Sequence, residues 1–147
     1  MCSSDLVRAF AQERIRPRGA EFERNGGFPP ALFRELGELG LMGMTAPESC
    51  GGAGADCVSY ALALIELAAA DGALSTIVSI QNSIMVNGLL AHGSEVQRAR
   101  WLPGLVSGDV IGAFALTETD AGSDASAIRT RARRIDGGWQ LDRSEEH

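Results

Sequence analysis

The chain has 147 residues, 45% of them hydrophobic and 22% charged, which suits one globular domain, or one and part of a second. Its formal net charge of -6 argues against non-specific nucleic-acid binding. All 13 basic residues are arginine, which points to a G+C-rich source genome more than to any chemistry.

The coarse order is helices first, then strands. Val7, Phe10, Ala11, Ile15 and Phe22 recur at helical spacing, with a bend expected at Pro17. Pro30 to Leu39 predict a short second helix with Leu32, Phe33, Leu36 and Leu39 as its apolar stripe and Gly40 as its C-terminal cap. Residues 45–55 carry Pro47 and three glycines and read as irregular. Asp56 is a plausible N-cap for a third helix to Ala70, which presents Val58, Leu62, Ile65 and Ala69. A fourth helix, Ala73 to Ala91, is apolar nearly all round and is expected to be buried on most faces. Ser94-Glu95-Val96-Gln97 is a capping box that opens a fifth helix to about Val106, on which Trp101 is expected to pack into a core or an interface.

From Val110 the period changes. Val110 to Leu116 suits a buried strand. Ile128 to Ile135 alternate imperfectly, with Arg129, Arg131 and Arg133 on one face; a solvated strand face and an anion site are the two readings of that stripe. Asp136-Gly137-Gly138 is a hairpin turn, and Trp139 and Leu141 begin a third strand.

The run Phe114-Ala115-Leu116-Thr117-Glu118-Thr119-Asp120-Ala121-Gly122-Ser123-Asp124 carries the most information. Apolar residues give way to hydroxyls, carboxylates and a glycine. Gly122 allows close approach or a positive φ. Thr117 and Ser123 supply short hydroxyls, and consecutive N–H groups in such a turn cradle anionic oxygens. From the residues alone, a strand end followed by a solvated Asx-type turn is the favoured reading.

As a string, this run closely resembles the flavin-contacting segment of the acyl-CoA dehydrogenases, and the resemblance covers nearly the whole chain. Phe28-Pro29-Pro30 with Leu32, Leu36 and Gly40-Leu41-Met42-Gly43 resembles the family's second helix and the turn after it. Pro47-Glu48-Ser49-Cys50-Gly51-Gly52-Ala53-Gly54 is similar to its Gly-rich loop, and Ser79-Ile80-Gln81-Asn82-Ser83 to a segment lining the acyl-chain pocket in short-chain members. Trp101-Leu102-Pro103-Gly104-Leu105, ahead of Gly108-Asp109, resembles the end of the last helix before the sheet domain. Thr119 stands where the family often has proline, so the turn is less rigid but loses no ligand group.

The resemblance implies an α+β fold: an N-terminal all-α helical bundle over residues 7–109, then the first strands of a β-barrel middle domain over residues 110–142, truncated. It implies an FAD enzyme that oxidises the Cα–Cβ bond of an acyl-CoA thioester to trans-2-enoyl-CoA. Phe114 would face the flavin. The backbone at Leu116 and Thr117, with the Thr117 hydroxyl, would bond its pyrimidine edge. Gly122 and Ser123 would approach the pyrophosphate, and Ser123 would also touch the acyl-CoA. A Trp-x-Thr element covering the flavin and the catalytic glutamate lie beyond these residues, so no catalytic residue is assigned. Glu48, Glu66 and Glu118 are not promoted to the base: Glu66 reads as a helix-surface or capped-core carboxylate, and Glu118 as a support for the motif turn. The 147-residue chain is therefore expected to show no acyl-CoA dehydrogenation by itself. At full length, the family implies a homotetramer passing electrons to an electron-transferring flavoprotein, with short- or branched-chain substrates preferred. A related flavoprotein (acyl-CoA oxidase or flavin monooxygenase) is the alternative within the superfamily. A non-catalytic helical interaction module is the alternative from a different class, and it leaves the run 114–124 without purpose.

Both ends read as foreign. A codon set for Arg143-Ser144-Glu145-Glu146-His147 is AGA TCG GAA GAG CAC, and one for Met1-Cys2-Ser3-Ser4-Asp5-Leu6 is GTG TGC TCT TCC GAT CT-. The second contains the reverse complement of the first, and both match a common sequencing-library adapter. Residues 1–6 and 143–147 are accordingly expected to be translated adapter, and the chain a fragment. Cys50 and Cys57 lack CxxC spacing; reduced thiols are expected and no metal site. His92 lies near a predicted helix end, where a cation suits the dipole, and receives no catalytic role. With no signal peptide and no apolar stretch expected to span a bilayer, no membrane partner and a cytoplasmic location are expected.

Overall fold

The computed structural model describes residues 3–143 and divides after Ala113 into two compact units, each taken by itself. Of the ends read as foreign, Met1, Cys2 and residues 144–147 lie outside the described residues.

In the first unit, one helical run opens the chain: α1 (Ser3–Phe10), a wide turn at Ala11–Ile15, a tight turn at Arg16–Arg18 and α2 (Gly19–Arg24). Pro17 sits at the start of the tight turn, where its missing N–H is no loss, and this is the expected bend. Val7, Ala11, Ile15 and Phe22 are all buried. Among the residues whose burial is described, Val7 is the first buried one, while Leu6 before it is exposed.

α3 (Pro30–Glu38) buries Leu32 and Leu36. It stops at Gly40, φ 73°, where the Gly40 N–H donates to Gly37 O and the Leu41 N–H to Leu36 O, both at 2.8 Å. That pair of bonds is a Schellman cap. Residues 45–55 are irregular apart from one turn at Glu48–Cys50. They are held by main-chain bonds from Ala53 to Gly43, Gly54 to Ala46 and Ala55 to Met44.

α4 (Cys57–Ala70) starts at Asp56, whose carboxylate accepts the Ser59 N–H at 2.7 Å. It packs on α1 and on α5 (Gly72–Ile80), and Asp71 caps the latter through the Leu74 N–H. The face α4 buries carries Ala63 and Leu67. The expected stripe of Val58, Leu62, Ile65 and Ala69 points the other way: Val58 is 68% and Ile65 61% exposed. α4 is apolar on all sides, so periodicity gives no direction, and contact with α1 and α5 decides which face is inside.

α5 continues through a wide turn at Gln81–Val86 into α6 (Asn87–His92). The 21 residues from Gly72 to His92 are long and apolar enough to cross a membrane by length and composition, contrary to the expectation that no stretch is. Nor is the helix buried on most faces. It buries Leu74, Ser75, Val78, Gln81, Asn82 and Val86 and leaves Ile84 exposed. His92 is its last residue, as expected.

α7 (Glu95–Ser107) opens with the predicted capping box: Gln97 N–H to Ser94 Oγ, and Ser94 N–H to Gln97 Oε1. Leu102, Leu105 and Val106 carry its buried face with Ala46 and Val86. Trp101 does not belong to that core. It is 44% exposed, with the Arg100 guanidinium 4.7 Å above its ring. A larger cluster of Val7, Ile15, Leu32, Leu36, Met42, Leu67, Leu74 and Val78 joins α1, α3, α4 and α5.

The second unit contains one hairpin, β1 (Ala132–Ile135) antiparallel to β2 (Gly138–Leu141), with Ile135 opposite Gly138 and Ala132 opposite Leu141. Asp136-Gly137 makes the turn, and Gly137 takes φ 79°, a conformation that favours glycine. Val110 to Leu116 is not the expected buried strand. It is irregular and mostly exposed, because no strand among the described residues offers its N–H and C=O groups a ladder.

Candidate functional site

The five residues expected to contact a ligand, Phe114, Leu116, Thr117, Gly122 and Ser123, stand on one exposed segment of the second unit. Phe114 is 56% exposed. The amides of all five donate to nothing among the described residues, and neither do the Thr117 and Ser123 hydroxyls. Two carbonyls are engaged: the Arg143 guanidinium donates to Leu116 O at 3.4 Å and Thr117 O at 2.6 Å.

Of the residues between them, Glu118 and Ala121 are tied. Glu118 and Ala121 exchange main-chain bonds of 2.9 and 3.1 Å across a two-residue turn, Thr119-Asp120. Thr119 occupies the position of such a turn where proline presets φ, which gives the departure from proline its physical meaning. The Glu118 carboxylate accepts the amides of Arg129 at 2.8 Å and Thr130 at 2.9 Å and closes the loop 118–130. Hydrogen bonding from the Thr130 side chain and from both amides holds this carboxyl below its usual range. Glu118 thus supports the turn, as expected. Asp124 accepts the Ser126 amide and hydroxyl in an Asx-type turn, so the plainer reading of these residues is realised at the loop's far end.

Gly122 does not take a positive φ, and a Cβ built on it meets no atom within 4 Å. Of the two uses expected for this glycine, the left-handed turn is excluded, and an open approach to the backbone is left.

The arginine stripe is exposed, and two of its members are paired: Arg129 with Asp120 at 3.1 Å and Arg133 with Asp142 at 2.8 Å. With Glu118, Thr130 and Arg131 these line a groove of about 460 Å³ that none of the five candidate residues borders. Four arginines, Arg143 included, face three carboxylates there, and the two ion pairs fit a solvated face better than an anion site.

In the first unit, Arg8 Nε and Nη2 donate to the two Glu66 carboxylate oxygens at 3.0 and 2.7 Å, and that hydrogen bonding chiefly holds Glu66 below the carboxylate norm. It is a paired helix carboxylate and not a free base. Cys50 and Cys57 are free thiols, and no cluster of metal-ligating side chains occurs among the described residues.

The segment expected to line an acyl pocket does something the sequence did not reveal. Gln81 and Asn82, each 1% exposed, spend their carboxamides on main chain. Asn82 donates to Leu41 O and Val78 O, both at 2.8 Å, and accepts the Met44 amide at 2.6 Å. Gln81 donates to Leu105 O at 2.8 Å and Val110 O at 2.9 Å, and accepts the Gly112 amide at 2.9 Å. These partners lie up to 41 residues away, so no local pattern could have announced them.

Residues 3–109 match the family described as acyl-CoA dehydrogenase, N-terminal domain. An acyl-CoA dehydrogenase of Bacillus subtilis is 43% identical over 140 residues, 95% of this chain and 37% of that protein. A glutaryl-CoA dehydrogenase of Mycobacterium smegmatis, solved in complex with FADH2, superposes with a TM-score of 0.89 at 40% identity, over 95% of this chain and 36% of that one. A structure of the electron transferring flavoprotein of Acidaminococcus fermentans, concerned with flavin-based electron bifurcation, gives 0.87 at 32% identity, over 95% and 37%. The chain spans a little over a third of the length of these relatives.

Proposed function

The chain belongs to the acyl-CoA dehydrogenase family, and from that premise we propose that residues 114–123 are the flavin-contacting segment of a longer FAD-dependent dehydrogenase. The observation that carries this reading is the row of unspent donors, five amides and two hydroxyls, on an exposed run that is pinned in its middle by the Glu118–Ala121 turn and the Glu118 carboxylate. Such a run fits a large polar ligand better than it fits a strand. The open approach at Gly122 suits the passage of a diphosphate close to main chain.

FAD, when bound, supplies the hydride acceptor for the β-carbon of an acyl-CoA thioester, giving trans-2-enoyl-CoA once a carboxylate has taken the α-proton. The part of this chain is to hold and orient. Phe114 is assigned to the ring system. The main chain at Leu116 and Thr117 and the Thr117 hydroxyl are assigned to the pyrimidine edge, where fixed donors favour the negative charge that develops on reduction. Gly122 and Ser123 are assigned to the pyrophosphate, and Ser123 also to the acyl-CoA. The base is not assigned to Glu66 or Glu118, both of which are already committed. The longer protein is proposed to work in the cytoplasm as a homotetramer and to pass electrons to an electron-transferring flavoprotein. The adapter origin of residues 1–6 and 143–147 is likewise our reading, and the codons of the nucleotide record decide it.

Titration of the ¹⁵N-labelled chain with FAD tests the assignment. The amide resonances of residues 114–123 should move first and furthest. Shifts confined to other residues, or none up to millimolar FAD, would contradict it.

A further inference from the structure

We infer that Gln81 is the positioning residue of the flavin segment, an anchor in the helical core that fixes the main chain at Val110 and Gly112, directly ahead of residues 114–123. The inference rests on the flavin reading of those residues.

A buried carboxamide is costly unless its donors and acceptor are all used. Gln81 is 1% exposed and uses both N–H groups and its oxygen. Two carbonyls and one amide face it, so only one orientation of the side chain satisfies all three. Two of the three bonds go to Val110 and Gly112, within the last four residues of the first unit, which ends at Ala113. The third goes to Leu105 on α7. One side chain therefore ties the end of α7 and the segment that follows it to the middle of the α5–α6 helix.

The surroundings reinforce the anchor. The Val110 amide donates to Gly104 O at 3.0 Å. Asp109 takes the Arg34 guanidinium at 2.7 Å and the Ser107 hydroxyl at 2.9 Å. At Gly112 a Cβ would run into the Met85 side chain, so only glycine brings the backbone this close to the helix. The adjacent Asn82 is equally buried and fully bonded, but its hydrogen bonds go to Leu41, Met44 and Val78 and none goes to residues 105–112. A general need for polar glue in the core does not explain why Gln81 is aimed at the root of the motif.

The test uses the 147-residue chain with Gln81→Leu, and with Gln81→Glu as a milder variant that keeps an acceptor for Gly112 and remains readable if the first fails to fold. Leu67→Ala, a cavity variant remote from the segment, serves as the control. Amide exchange and FAD titration are read by NMR. Exchange at Gly112 should rise about tenfold or more in the Gln81 variants, and FAD should bind about tenfold more weakly than to wild type or to Leu67→Ala. Unchanged exchange at Gly112 would overturn the anchor. Faster exchange with FAD affinity no lower than in Leu67→Ala would overturn the positioning role and leave the flavin reading standing. A wild-type segment that ignores FAD would overturn the flavin reading itself, and this role with it.

Discussion

Glu118 shows how a charged residue inside the run 114–124 can be structural. Its carboxylate closes the loop 118–130 on two amides, and the Thr130 side chain, with those amides, holds the carboxyl below its usual range. A carboxyl whose folded value is depressed contributes stability that is fully present above its unfolded value near 4.5 and is lost as the pH falls through the folded value. Exchange at Arg129 and Thr130 should therefore be pH-independent in protection near neutrality and lose protection only below about pH 4.5. Glu118→Gln should remove that acid transition and loosen both amides at neutral pH, since an amide has one acceptor where the carboxylate has two. Full protection in Glu118→Gln would show that the loop is closed by something else. The supporting role was legible in the sequence as far as the residue type; the partners, 11 and 12 residues on, were not.

At the scale of elements, what the sequence revealed was what is local. The Asp56 cap, the Ser94–Gln97 box, the Gly40 stop and the Asp136-Gly137 turn each depend on residues within a few positions, and each is formed. What it concealed was set by distant partners. Val110 to Leu116 has strand composition and no strand beside it among the described residues. α4 has apolar side chains all round, and only contact with α1 and α5 makes Ala63 and Leu67 the inner face in place of Val58 and Ile65. That choice has an energetic consequence. Leu67→Ala should cost about 2–5 kcal/mol of unfolding free energy, the range for a fully buried leucine left as a cavity, whereas Ile65→Ala should cost well under about 1 kcal/mol. Urea unfolding of the two variants measures both. Equal losses would mean that α4 is turned the other way.

The described residues form a helical unit with two buried apolar clusters, and a small unit whose strands are exposed throughout. The family resemblance was legible because the run 114–124 is long and chemically specific, while which of its donors are left unspent is visible only in the structure. Arg143, at an end read as foreign, takes the carbonyls of Leu116 and Thr117 but none of those donors. The central claim is that these groups meet the flavin ring itself. Intermolecular nuclear Overhauser effects in the chain saturated with FAD measure this directly. Contacts from the isoalloxazine protons to the Phe114 ring and the Thr117 side chain are the predicted result. Contacts only from the adenine end, or only to residues outside 114–123, would contradict the account.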